Sequence, residues 1–167
     1  NYESWKKERM EWYLALGMKK ENLKFLEHTP EKRAHYAQAA FDIEYNFDGE
    51  WKEMEGIHHR GEWDLSRHQE FSKQDLTYFD DGSTGLTTGG TKEKFIPWVI
   101  ETSGGVDRAT RFFLTDAYNE EKLENGEDRI VLKLHPKLAP YKAAVFPLLA
   151  NKPELVKKAK EIYTDLK

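Results

Sequence analysis

Glu101, Ser103 and Arg108 are the side chains of this sequence best placed by type and spacing to do chemistry, and all three fall in the stretch Pro97–Leu114. This stretch reads as an apolar strand that runs through two glycines, Gly104 and Gly105, into an amphipathic helix. Alternate side chains of a strand point to opposite faces, so Val99, Glu101 and Ser103 share one face and Trp98, Ile100 and Thr102 the other. A carboxylate and a hydroxyl therefore project together. The glycines let a ligand approach the backbone. The amides that open the helix, with Arg108 one turn in, suit an anion such as a nucleotide phosphate. The same residues also read as an ordinary strand end in which Ser103 caps the helix and Arg108 is solvated.

The elements that must position these groups are legible from periodicity. Trp5, Met10, Trp12, Tyr13 and Leu16 spaced among Lys and Glu predict an amphipathic helix over Tyr2–Leu16, ended by Gly17. A short helical turn is expected within Lys19–Leu26. Thr29-Pro30 predicts a helix start, with the helix running to about Ala40. Phe41, Ile43, Tyr45 and Phe47 alternate with Asp42, Glu44 and Asn46, the pattern of a half-buried strand. Asp48-Gly49 then turns the chain so that Trp51–His59 returns as an antiparallel partner. A polar loop is expected from Asp80 to Gly90 and an acidic connection from Asn119 to Asp128. Short strands are expected at Ile130–Leu134 and Lys142–Leu149, followed by a helix over Pro153–Leu166. The helix from Val106 to Tyr118 is expected to pack on the sheet through Phe113 and Leu114.

A second constellation lies on the returning strand. There Glu53 and Glu55 are expected on one face, continued by Ile57 and His59, with Arg60 on the opposite register. Paired acids could help hold Mg²⁺ against nucleotide phosphates, or they could be solvated strand residues. The histidines carry less. His58 and His59 are adjacent and so point apart on a strand, and His28, His35 and His68 lack ligand-like spacing. Ser103 does not lie in a nucleophile elbow.

Composition narrows the class. The chain has 167 residues, 34% of them charged, a formal net charge of −4 and no cysteine. That length supports one core with the start of another. No apolar run is long enough to span a membrane, and no signal-like N-terminus is seen. The absence of cysteine rules out disulfides and thiolate metal sites and fits a reducing compartment. The net charge argues against non-specific adhesion to nucleic acid.

Three blocks carry a family resemblance. Pro97–Leu114 resembles motif 3 of the class II aminoacyl-tRNA synthetases. Glu53–His68 is similar to the block that precedes motif 3 in homodimeric glycyl-tRNA synthetases. Val131–Leu149 is similar to that family's passage into its anticodon-binding domain, and Asp75–Asp80 lies between the first two blocks. The resemblance implies an α+β fold, an antiparallel sheet with flanking helices, for residues 1–138 as the C-terminal portion of a catalytic domain. Residues 139–167 would then be the first βα unit of an α/β anticodon-binding domain. It implies ATP-dependent activation of glycine to glycyl-adenylate and transfer to tRNA(Gly), with Mg²⁺, in a cytoplasmic homodimer. Glu53, Met54, Gly105, Val106, Asp107 and Arg108 match ATP-binding positions, with Arg108 and Glu53 in catalytic roles and Glu53 a ligand for the metal. Glu101, Thr102, Ser103, Gly104 and Gly105 match glycine-binding positions. Thr102 departs from the proline common there, and Asp107 also reads as a first-turn acid interacting with the helix dipole. The first residues resemble the sequence that follows motif 2, so the chain is expected to be an internal portion that is inactive alone. The alternative is a non-catalytic synthetase-like module such as a polymerase accessory subunit. The retained acids and Arg108 favour the enzyme lineage.

Overall fold

In a computed structural model, residues 1–84 and 92–167 are described, and they form two units, Asn1–Leu132 and Lys133–Lys167. In the first unit, helix α1 (Tyr2–Ala15) leads through a 3₁₀ turn (Lys20–Asn22) to strands β1 (Leu23–Glu27), β2 (Ala39–Phe47) and β3 (Glu50–Gly61). Helix α2 (Trp63–Ser72) and the short paired strands β4 (Tyr78–Asp80) and β5 (Glu93–Phe95) follow. Strand β6 (Val99–Gly104), helix α3 (Val106–Ala117) and the hairpin β7 (Tyr118–Lys122) and β8 (Asp128–Leu132) complete the unit. The expected α+β architecture is present: four antiparallel strands in the order β1-β2-β3-β6, flanked by helices.

The hairpin at the centre of this sheet is set by Asp48 and Gly49, whose φ values of 53° and 81° give the left-handed turn that matches strand twist. Tyr13, Met18, Ile43, Tyr45, Met54, Ile57 and Phe112 form the core between the sheet, α1 and α3. Each large apolar side chain buried there contributes about 1.5–3 kcal/mol. The Tyr45 ring stacks on Phe112 at 4.6 Å. Buried Asp116 of α3 accepts from the Lys19 amide, the Asn22 amide group and the Tyr45 hydroxyl at 2.9, 2.6 and 3.1 Å. Helix α3 is thus held against the sheet by stacking and by a carboxylate that accepts three hydrogen bonds, and its first turn follows directly from β6.

Several expectations are corrected. The segment from Thr29 to Ala40 is not a helix: the Thr29 carbonyl accepts one turn of bonds from Lys32 and Arg33. The Gln38 amide then donates to His59 at 2.7 Å, and Ala39 and Ala40 pair with His59 and His58. A short run of weak helix signal yields to a sheet edge that offers partners. Within Lys19–Leu26 the expected short helical turn is present as the 3₁₀ turn Lys20–Asn22, and Leu23–Leu26 then enters β1, paired along its length with β2. Asn119–Asp128 is a hairpin, not a loop, because Glu121 and Lys122 find Arg129 and Asp128 opposite them. Asp42 and Glu44, expected at the surface of a half-buried strand, are buried beside His28 and Lys24. Helix α3 buries Phe112 and Asp116, and Leu114 stays exposed. Most of the loop expected from Asp80 to Gly90 lies outside the described residues; at its start the Asp80 carboxylate accepts from Gly82 and Thr84.

The second unit contains helix α4 (Pro153–Leu166), as expected, with proline in its first turn. Residues 142–149 form no strand. A strand needs a neighbour for its amides and carbonyls, and residues 133–167 contain no strand to pair with.

Candidate functional site

At the β6–α3 junction Gly105 is the helix N-cap with extended backbone (φ −81°), and no side chain caps the helix. Ser103 is therefore not the cap, and its side chain remains exposed. A Cβ built on Gly104 or Gly105 would meet nothing closer than 3.6 or 3.5 Å. Packing does not demand these glycines. A Cβ there would make ordinary van der Waals contact, with Glu55 and the Met54 carbonyl at Gly104 and with Arg108 at Gly105.

On one side of the junction Glu101 belongs to a charged corner. Arg60, at the end of β3, donates through Nη1 to Glu101 Oε2 and through Nε and Nη2 to Asp64 at 2.6 and 2.8 Å. Its guanidinium lies over the Tyr36 ring at 3.9 Å. Donating to Asp64 and then to Glu101 pushes the Arg60 pKa up, and accepting from Arg60 holds the Asp64 carboxyl below its ordinary value. On the other side Arg108 donates to the Glu53 carbonyl at 2.8 Å. It lines a cleft of about 660 Å³ with Glu53, Asp107, Arg111, Phe47 and Phe112. Arg111 lies over Phe47 at 4.2 Å. Among the described residues neither Arg108 nor Arg111 has a carboxylate within ion-pair distance. The cleft thus holds two guanidinium groups without an ion pair, one of them over the Phe47 ring, and is also lined by Lys52 and by the carboxylates of Asp48, Glu50, Glu53 and Asp107.

The two acids of β3 separate. Glu44 opposes Glu53 and Ile43 opposes Glu55, so Met54 is the extra residue of a β-bulge and breaks the alternation. Glu53 is exposed, while the Glu55 side chain is 2% exposed. Glu55 accepts from Arg9 at 2.6 and 2.9 Å and from the Tyr13 hydroxyl at 2.6 Å. Burial, then the bond to Glu55, pushes the Tyr13 phenol up, and the bond to Glu55 raises Arg9.

Against curated proteins, the chain is 46% identical to the glycine–tRNA ligase of Borreliella burgdorferi (strain ZS7) over an alignment of 164 positions that covers 97% of it, and 48% identical to that of Caldanaerobacter subterraneus subsp. tengcongensis over 163 positions that cover 98%. The glycine–tRNA ligase of Geobacillus kaustophilus (strain HTA426) is 44% identical over 165 residues, 99% of the chain. The chain is homologous to the glycine–tRNA ligases. It spans about a third of their length, 35%, 33% and 34% of these three. No family model matches it.

Set against the glycine–tRNA ligase pattern, the structure spreads the expected residues over one face of β6, a small cleft and the larger cleft, and leaves one pairing unmade. Glu101 and Ser103 lie on one face of β6, with His58 opposite Glu101 across the ladder. Thr102 and Gly104 border a separate small cleft beside Arg9 and Glu55. Glu53, Asp107 and Arg108 share the larger cleft, whereas the Met54 side chain is in the core. Val106 is exposed beside the junction. For Mg²⁺ the expected Glu53–Glu55 pair does not assemble, and among the described residues no group of three or more acids or histidines could hold a metal. The single Glu53 carboxylate fits that ion only in company with phosphate oxygens and water. His28 is engaged with Asp42 at 2.7 Å. The sequence reading missed Arg60 as the partner of Glu101 and Arg9 as the partner of Glu55. Neither spacing carries a local signal, because the pairs are separated by 41 and 46 residues. No described helix is long and apolar enough to cross a membrane.

Proposed function

We propose that this chain supplies the motif 3 portion of a glycine–tRNA ligase. In that role its β6–α3 junction takes part in ATP-dependent activation of glycine before transfer to tRNA(Gly), in a cytoplasmic class II homodimer. The observation that carries the reading is the junction itself: a carboxylate and a hydroxyl on one side of the glycines and an unneutralised arginine on the other. Glu101 and Ser103 would take the ammonium of glycine, the carboxylate by ion pairing and the hydroxyl by a hydrogen bond. Arg108 would neutralise charge on the nucleotide phosphates as the glycine carboxylate attacks the α-phosphorus and pyrophosphate leaves. The first-turn amides of α3 add to that field, and Asp107 interacts with the helix dipole beside it. Glu53 would hold Mg²⁺ together with phosphate oxygens, the metal adding positive charge against the departing pyrophosphate. No covalent intermediate on the protein is required. The 167 residues alone are expected to be nearly inactive, since losing one preorganised charge-stabilising group already costs about 10²–10³ in rate. The test is to place these residues in the frame of the Geobacillus kaustophilus ligase and measure glycine-dependent ATP–pyrophosphate exchange. Exchange by the hybrid, with little or none by the isolated chain, supports the reading. A folded hybrid without exchange overturns it.

A further inference from the structure

Arg60 occupies an unusual place in the ladder. His59 pairs with Ile100 and Gly61 with Val99, so Arg60 has no partner across the strand and is the extra residue of a second bulge. Bulges of this kind re-aim a side chain. Here the re-aimed guanidinium is held from three directions: Asp64 takes Nε and Nη2, the Tyr36 ring lies against its face, and Nη1 is left for Glu101. The Arg60 side chain is 20% exposed and Glu101 32%. Glu101 Oε2 is engaged, and Oε1 has no hydrogen-bond partner among the described residues. One guanidinium faces two carboxylates, so the corner keeps an excess of one negative charge.

We propose that Arg60 is a positioning residue that fixes the Glu101 carboxylate through Oε2 so that Oε1 is presented to the ammonium group of a small amino acid. The inference rests on the reading of Glu101 as the ammonium acceptor. A glutamate free to rotate must give up that freedom each time a ligand binds; one already held binds without that loss. Asp64 sets the plane of the fork and so serves the same end from farther out. Lysine cannot replace the arrangement, because a point charge cannot hold Asp64 through two parallel bonds while reaching Glu101 in a fixed direction.

The test uses the hybrid ligase, reading the KM for glycine and the KM for ATP in pyrophosphate exchange beside thermal unfolding. Arg60→Ala is expected to raise the glycine KM at least about tenfold with the ATP KM within about twofold. Arg60→Lys should recover only part of the loss, and Asp64→Asn should raise the glycine KM by a smaller factor. Glu101→Gln separates the two ideas. If it leaves the glycine KM unchanged, the ammonium role of Glu101 fails, and this inference with it. If Glu101→Gln raises the glycine KM but Arg60→Ala and Arg60→Lys do not, the positioning role alone is wrong. A loss confined to unfolding temperature and kcat, with the glycine KM unmoved in all the Arg60 and Asp64 variants, likewise overturns it.

Discussion

The Glu101 corner and the Arg108 cleft lie on either side of the same junction, yet they handle charge in opposite ways. In the corner every guanidinium bond is matched to a carboxylate and the groups hold one another in place. In the cleft Arg108 donates to a backbone carbonyl and, among the described residues, makes no ion pair, so its charge is positioned without a bound carboxylate. A pinned carboxylate suits a small cationic group that must be recognised in one pose. An unneutralised arginine suits an anion whose charge changes during a reaction, since a resident counter-ion would oppose its work.

The largest expected effect comes from the interior acid beside both regions. Glu55→Ala would leave Arg9 without its partner and Tyr13 without its acceptor, and removal of one member of a buried pair costs about 3–5 kcal/mol. Denaturant unfolding of the isolated chain measures this. A loss below about 1 kcal/mol would mean that the network is solvated and that Glu55 is less distinct from Glu53 than its burial indicates. Next in size is Arg108→Ala in the hybrid ligase. Exchange should fall at least about tenfold, roughly 1.4 kcal/mol of transition-state stabilisation, while unfolding changes by no more than about 0.5 kcal/mol. Lysine should recover part of the activity. Full exchange by the alanine variant would erase the contrast between corner and cleft. The smallest effect is a pH dependence in the corner. Arg60 holds the Asp64 carboxyl below its ordinary value, so the contribution of Asp64 is complete above the unfolded pKa near about 3.9 and is lost as pH falls through the lower folded value. The stability difference between wild type and Asp64→Asn should therefore be flat from about pH 5 to 7 and shrink below about pH 4. A difference that grows as pH falls would contradict the pairing.

Much of the frame was legible because its signals are local. The spacing of Trp5, Met10 and Tyr13, the Asp48-Gly49 turn between alternating strands and the strand–glycine–helix order at the junction each depend on residues a few positions apart. Residues 142–149 mark the limit of such reasoning. Their apolar pattern is that of a strand, yet Phe146 and Leu148 are 83% and 87% exposed and no strand forms, since a strand is a property of two segments and not of one.

By itself, then, the sequence determined the antiparallel hairpin, the helices at Tyr2–Ala15 and Pro153–Leu166 and the strand–glycine–helix order that carries Glu101, Ser103 and Arg108. Only the tertiary structure decided which charges are free there. The bulge at Met54 sends Glu55 inward to Arg9 and leaves Glu53 in the cleft, and the bulge at Arg60 turns its guanidinium onto Glu101. Both outcomes depend on how strands far apart in sequence come into register. A one-residue slip in that register reverses the face of every side chain beyond it.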